Sequence, residues 1–339
     1  MSKQETQIIK GIALLMMLWL HLFSNVAQTQ TCTNLINIGG IPLASILARA
    51  CPPVDFFIFC GGYGLYYTYR KGNDKRYLPR IVKLFIAYWL ILLIFIPACI
   101  CFADANFPMD TKSIVFNITG LHCDWDHPTW FLLPYSLLSL SYPFLFRLFD
   151  KIRVRYVLVV TFVLNFMMMT LLHFYGTSHI NNNPLLSIPV CYIEFLFPFV
   201  CGASLLRCNL VPTLRIKQAK LGRLTGVIYA MFALILILTC TIINSAAIHS
   251  IYILGVIGCL LLSPFNRAGA IPKLLAKIGD HSMNMWLIHA ILYGFLFKDL
   301  IYGISYPVFG FLALILLSYI CSIGINAVLK PIYKIVQFK

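Results

Sequence analysis

Charge is scarce in this sequence, and acidic charge is scarcest. Only 11% of the 339 residues are Asp, Glu, Lys or Arg, and 11 acidic residues stand against 26 basic ones. A soluble domain of appreciable size needs more polar surface than this, so none fits. A linker, a low-complexity tract and an internal repeat are also missing, which leaves residues from about 5 to 335 as one membrane domain. The twelve cysteines show none of the spacings of a zinc site. Most lie in apolar runs, where cysteine acts as a small apolar residue.

What is present is apolar. Hydrophobic residues make up 60% of the chain and the mean hydropathy is +0.85. Runs long enough to cross about 30 Å of hydrocarbon fall at about 8–27, 54–69, 81–103, 129–149, 156–175, 185–206, 222–243, 246–265, 281–300 and 305–329. The fold class expected is therefore all-α, a polytopic membrane protein of about ten transmembrane helices. The second run is short, and the apolar stretch 41–51 before Pro52-Pro53 adds a broken, partly embedded segment to it.

Basic residues orient the spans. The amino terminus, the carboxyl terminus and alternate loops hold 23 of the 26 Lys and Arg, leaving Arg49, Lys112 and Lys298 for the opposite side. Positive-inside then puts both termini in the cytoplasm. The net charge of +15 is on this reading a topology signal and not a nucleic-acid footprint. The amino terminus is an uncleaved first helix and not a signal peptide, because Asn25 occupies the −3 position before Ala27 and the apolar run carries His21. Cys32, Cys51 and Cys123 fall on the outer side, which leaves a Cys32–Cys51 disulfide open.

Ionisable groups inside the apolar runs are the candidate functional residues, since each is costly unless it faces protein or water. Lys10 and His21 are eleven residues apart, three helical turns, and so share one helix face about 16 Å apart. Measured from the cytoplasmic ends of their spans, His21, Glu194 and His289 lie at about 14 to 20 Å, with Asp55 further out. A contact of His21 with Asp55 or Glu194 would orient the ring for proton transfer. Arg70 to Lys83 packs six cations into fourteen residues, with Arg76, Arg80 and Lys83 at helical spacing. Such a cluster serves as a positive-inside anchor or as a phosphate clamp. The outer segment His122-Cys123-Asp124-Trp125-Asp126-His127 has metal-ligand residue types, although a polar surface loop explains it equally. Trp130 fits an interfacial aromatic belt.

These residues resemble the type 3 integral membrane acyltransferases, which include O-acetyltransferases of bacterial surface polysaccharides. Lys10, ten intervening residues and His21 match the opening motif. Val54-Asp55-Phe56-Phe57-Ile58-Phe59-Cys60-Gly61-Gly62-Tyr63 is similar to the second-span motif, Arg76-Tyr77-Leu78-Pro79-Arg80 to the entry of the third span, and Trp130-Phe131-Leu132 to the start of the fourth. The stretch from Gly279 through Ser282 to His289 is similar to the late glycine, serine and histidine signature. Cys60 stands where serine is common. The two arginines are separated by three residues instead of two, with Tyr77 in the expected position.

The resemblance implies transfer of an acetyl or other short acyl group from cytoplasmic acyl-CoA, a co-substrate and not a bound cofactor, to a hydroxyl of a surface glycan or lipid-linked sugar. It implies His21 as general base or acyl carrier, oriented by Asp55 or Glu194. Lys10, Arg76 and Arg80 would bind the CoA phosphates, Ser282 and His289 would line the cavity, and Trp130 would offer a face to a sugar ring. The setting implied is the bacterial cell membrane, with glycan-assembly proteins as partners and no nucleic acid. The extracytoplasmic esterase-like domain of some members is not expected here, as the chain ends about ten residues after the tenth span. A transporter or flippase of a lipid-linked sugar or organic anion is the competing class, favoured by midplane ionisable groups and broken helices and opposed by the lack of repeat halves.

Overall fold

A computed structural model of the chain describes residues 1–72, 77–219, 224–243, 246–262 and 269–336. Its helices are α1 (Lys3–Phe23), α2 (Val26–Thr29), α3 (Leu43–Ala48), α4 (Pro53–Arg70), α5 (Tyr77–Ala103), α6 (Thr111–Thr119), α7 (Leu132–Lys151) and α8 (Val154–Tyr175). They continue as α9 (Pro184–Arg207), α10 (Leu210–Ala219), α11 (Leu224–Ile243), α12 (Ala246–Leu262), α13 (Ala270–Asp280), α14 (Ser282–Ile291), α15 (Lys298–Gly303) and α16 (Pro307–Ile335). Among the described residues the one sheet is a hairpin, β1 (Asn37–Ile38) antiparallel to β2 (Ile41–Pro42).

Seven helical segments are long and apolar enough to cross a membrane: Lys3–Phe23, Leu43–Arg70, Leu78–Ala103, His127–Lys151, Val154–Tyr175, Pro184–Arg207 and Pro307–Ile335. The other three expected spans coincide with shorter apolar stretches, Val227–Ile242, Tyr252–Leu261 and Ser282–Leu296. In the last of these, α14 gives way to a π-helical turn at Leu292–Leu296. The break expected at Pro52-Pro53 is present: α3 ends at Ala48 and α4 starts with Pro53 in its first turn, where a missing N–H costs nothing. Cys32 and Cys51 form no disulfide, and the Cys51 thiol donates to the carbonyl of Leu47 at 3.6 Å.

Local chemistry sets several helix ends. Ser2 and Glu5 form a reciprocal capping box on α1, with Ser2 N donating to Glu5 Oε2 at 2.7 Å and Glu5 N donating to Ser2 Oγ at 3.1 Å. Asp110 caps α6 by accepting from Ser113 N, and these Ser113 hydrogen bonds hold its carboxyl below the usual range. Gly120, at φ +72°, ends the same helix in the left-handed conformation that glycine adopts most easily.

The chain forms two compact units, neither continuous in sequence. The first comprises 1–13, 52–77 and 134–279, and the second 14–51, 78–133 and 280–339. In the first unit, glycines let helices meet backbone to backbone. A Cβ on Gly62 would lie 2.0 Å from the Phe199 carbonyl oxygen, and one on Gly202 would lie 2.1 Å from that of Phe59, so α4 and α9 touch without intervening side chains. Gly11 and Gly279 do the same for the start of α1 and for α13, against the carbonyls of Leu275 and Gln7. Tyr66 donates to Asp150 Oδ1 at 2.7 Å, and Arg207 donates to the carbonyls of Phe149, Asp150 and Ile152 at the end of α7. Arg215 in α10 joins Glu5 in an ion pair and donates to the Leu261 carbonyl.

In the second unit, aromatic N–H and O–H groups find backbone acceptors. Tyr88 donates to the carbonyl of Asn117 at 2.7 Å, Trp125 to Pro108 at 2.9 Å, and Trp19 to Ala44 at 3.0 Å. A polar ladder crosses from α14 to α16: His281 Nδ1 lies 2.9 Å from Ser322 Oγ, and Asn284 Nδ2 donates to Asn326 Oδ1 at 2.9 Å.

The glycine contacts predict a sharp asymmetry. Gly202→Ala must push α4 and α9 apart and should lower stability by about 1–3 kcal/mol. Gly64→Ala, where a Cβ meets nothing within 4 Å, should be neutral. Thermal unfolding of the two purified variants in detergent checks this, and equal midpoints would refute the backbone contact.

Candidate active site

α1 runs unbroken from Lys3 to Phe23, so Lys10 and His21 do share one helix, three turns apart. The His21 ring meets the ring of His289 from α14, with centroids 5.1 Å apart and planes at 47°. His289 is fully buried, and its Nδ1 lies 2.6 Å from the carbonyl oxygen of Trp286, one turn earlier. A carbonyl only accepts, so Nδ1 carries a proton and donates it. In the neutral ring the lone pair then sits on Nε2. That Nε2 is buried and has no hydrogen-bond partner among the described residues. It is a base with a fixed tautomer, placed beside a second imidazole.

Trp286 holds this arrangement in place. Its Nε1 donates to the Pro128 carbonyl at 3.0 Å, in the 3₁₀ turn His127–Thr129, and its ring stacks on Phe131 at 4.1 Å and 25°. The π-helical turn Leu292–Leu296 follows immediately, closed by Phe297 N donating to the Leu292 carbonyl at 2.8 Å. Such turns often mark functional sites in helices. His127, next to Pro128, is exposed and close enough to act electrostatically on His21.

Asp55 and Glu194, expected to orient His21, belong to the first unit, and there they face each other. Asp55 lies seven residues before Gly62 and Glu194 eight before Gly202, about two turns in each case. With the two glycines pressed against the partner backbone, α4 and α9 pack closely enough for the two carboxyls to act on one another. The charge of Asp55 accordingly reaches Glu194. Both are buried, at 8% and 7% exposure. Lys10, also in this unit, is half-buried and acts electrostatically on Cys60 of α4.

The remaining expected residues are more dispersed. Arg80 is exposed in the first turn of α5, where Lys83 lies 5.4 Å over the ring of Tyr333 and its carbonyl accepts from the Tyr333 hydroxyl. Arg76 lies outside the described residues. Ser282 is buried at the first position of α14, seven residues or about 10 Å from His289 along the helix. Trp130 is exposed beside Phe131, with ring centroids 5.9 Å apart. In the loop after α6, His122 Nδ1 lies 2.8 Å from Asp124 Oδ1, and among the described residues no three His, Cys, Asp or Glu side chains gather as a metal site.

Sequence reasoning gave Asp126 too little weight. It was one of six residues in a polar loop, yet it is 2% exposed, and neither carboxyl oxygen has a hydrogen-bond partner among the described residues. Burial pushes its carboxyl well above the usual carboxylate range. Its immediate sequence, Trp125-Asp126-His127-Pro128, carries no signal of burial. The ladder His281, Ser322 and Asn326 was also missed, although Ser318, Ser322 and Asn326 recur every fourth residue along an apolar helix. That polar stripe was readable.

An acid whose folded pKa is raised favours folding at low pH, where both states hold the proton. The benefit is lost as pH rises from the unfolded value near 4 toward the folded one. Asp126→Asn removes the ionisation, so its stability should exceed that of the native chain by a margin that widens with pH. The slope should be about 1.4 kcal/mol per pH unit within that window. Thermal midpoints from pH 4.5 upward test this; a margin that stays constant or shrinks contradicts it.

A family model described as an acyltransferase domain matches residues 5–327. No curated protein matches the chain, and no solved structure does. The match covers nearly the whole chain and includes both histidines, the Asp55–Glu194 pair and Arg80. With seven helices long and apolar enough to span a bilayer, the chain belongs to the type 3 acyltransferase family and is a membrane acyltransferase.

Proposed function

We propose that the protein is an O-acyltransferase that moves an acetyl or other short acyl group from cytoplasmic acyl-CoA to a hydroxyl of a surface glycan or lipid-linked sugar. The observation that carries this reading is the His21–His289 pair, with the Nδ1 proton of His289 committed to a carbonyl and its Nε2 lone pair without a protein partner. One imidazole takes the proton of the acceptor hydroxyl as its oxygen attacks the thioester carbonyl. The carbon–sulfur bond breaks, and the pair returns the proton to the departing thiolate, leaving an ester and free CoA. His21, at the α1 end of the pair and half-buried, is the more accessible ring and the first choice for base or transient acyl carrier.

The basic residues support the same reading. Lys10 stands three turns before His21 on α1, and Arg80 is exposed with Lys83 at the start of α5. With both termini on the cytoplasmic side, as the distribution of Lys and Arg favours, Lys10 and Arg80 are each candidates for the CoA phosphates, as is Arg76, which lies outside the described residues. Trp130, exposed at the opposite end of its span, offers a ring face to a sugar. Ser282 and His289 line the path along α14. The setting that suits this chemistry is a bacterial cell membrane, with the acceptor supplied by glycan-assembly proteins.

Purified protein in liposomes, given acetyl-CoA and a panel of glycan acceptors, should release CoA thiol. His21→Ala and His289→Ala should each lower kcat by about 10²–10⁴-fold. Arg80→Ala should raise KM for acetyl-CoA about tenfold with kcat little changed. Full turnover in the His21 variant would remove it from the chemistry, and sugar flux without thiol release would favour a transporter.

A further inference from the structure

Among the described residues of the second unit, five side chains hold buried polar atoms without a hydrogen-bond partner: Ser45, Asp126 with both carboxyl oxygens, Asn284, His289 with Nε2 and Tyr302 with its hydroxyl. Buried polar atoms are nearly always satisfied, so each such case calls for a cause. Asp126, His289 and Tyr302 are neighbours. Trp286, one turn before His289, is tied to the Pro128 carbonyl, two residues after Asp126. Tyr293 completes the group, with its ring 6.1 Å from that of His289 and 6.5 Å from that of Tyr302, and within electrostatic range of Asp126.

Their chemistry restricts what can satisfy them. A carboxyl buried without a cation is uncharged, and it then offers one O–H donor and one carbonyl acceptor. A phenol also offers both, while Nε2 only accepts. An anion could use the two O–H donors but would also face three acceptors, the Asp126 carbonyl oxygen, the Tyr302 oxygen and Nε2. Adjacent hydroxyl groups suit the set, because each donates and accepts once or more. The aromatic rings of Tyr293, Tyr302 and Trp286 supply the apolar surface that the C–H face of a sugar ring prefers.

We propose that Asp126, Tyr302 and Nε2 of His289 form the acceptor subsite, which binds neighbouring hydroxyls of a pyranose ring and presents one of them to the histidine pair. This rests on the acyltransferase reading above for the word acceptor; the binding itself does not depend on turnover. Asp126, Tyr302 and Nε2 of His289 hold the ring, and the hydroxyl beside the one on Nε2 is presented to His21.

The test is binding without acyl-CoA. The full chain in nanodiscs is mixed with methyl β-D-glucopyranoside, methyl β-D-galactopyranoside or methyl N-acetyl-β-D-glucosaminide, and saturation-transfer NMR is read on the ring protons, with empty nanodiscs as background. At least one glycoside should show transfer. Asp126→Leu and Tyr302→Phe should each reduce it about fivefold, while Asp126→Asn, which still donates and accepts, should retain most of it. Thermal midpoints confirm that each variant is folded, and Tyr302→Phe with Asp126→Asn decide the matter if Asp126→Leu is not. Background-level transfer with all three glycosides would mean that water alone meets these atoms, and the subsite is wrong. Unchanged transfer in Tyr302→Phe and Asp126→Leu would also overturn it. Glycoside binding without any thiol release from acetyl-CoA would instead defeat the acyltransferase reading and leave the subsite standing.

Discussion

Hydrocarbon offers no hydrogen bonds, and that constraint shapes every polar contact in this fold. Tyr88 reaches the Asn117 carbonyl, Trp286 the Pro128 carbonyl, Tyr66 the Asp150 carboxylate, and His281 the Ser322 hydroxyl. Each contact ties one segment to another far along the chain, so satisfying a polar group also sets the tertiary structure. In a protein that follows this rule so widely, the polar atoms left over are conspicuous. Asp126, His289 and Tyr302 are such cases, and they lie together.

The same constraint makes a precise base out of an ordinary imidazole. In water, histidine exchanges tautomers freely. In α14 the Trp286 carbonyl holds the Nδ1 proton, and Trp286 is itself held by its stack on Phe131 and its bond to the 3₁₀ turn. Rigid placement of a reactive nitrogen is the part of acyl transfer that a protein can supply in advance. A second ring at 5.1 Å gives the proton somewhere to go. In the first unit, tight glycine packing between α4 and α9 achieves a comparable placement for Asp55 and Glu194, where bulkier residues would have kept the two carboxyls apart.

Much of the fold was legible before any coordinates. Seven of the expected spans match long apolar helices, and the proline break before α4 lies where Pro52-Pro53 required it. Hydropathy is a sum over neighbours in sequence, and proline acts on its own backbone, so neither needs knowledge of the fold. Length was harder to read. The late span at 281–300 is interrupted by a π-helical turn after α14, at Leu292–Leu296. The cysteines show the same limit, since composition left Cys32 and Cys51 open to pairing and the structure keeps both as thiols.

The sequence by itself determined that this is an all-α membrane protein, and that Lys10 and His21 stand on one helix three turns apart, because helical periodicity alone relates those two residues. It also singled out His289, Asp55 and Glu194 as costly groups in apolar surroundings. Only the tertiary structure decided their surroundings: His21 beside His289, Asp55 near Glu194, and Asp126 with carboxyl oxygens that find no hydrogen-bond partner among the described residues. The reason is physical. The cost of burying a charge can be read from a residue and its neighbours in the chain, but what surrounds it comes from side chains more than a hundred positions away that meet only when the helices pack.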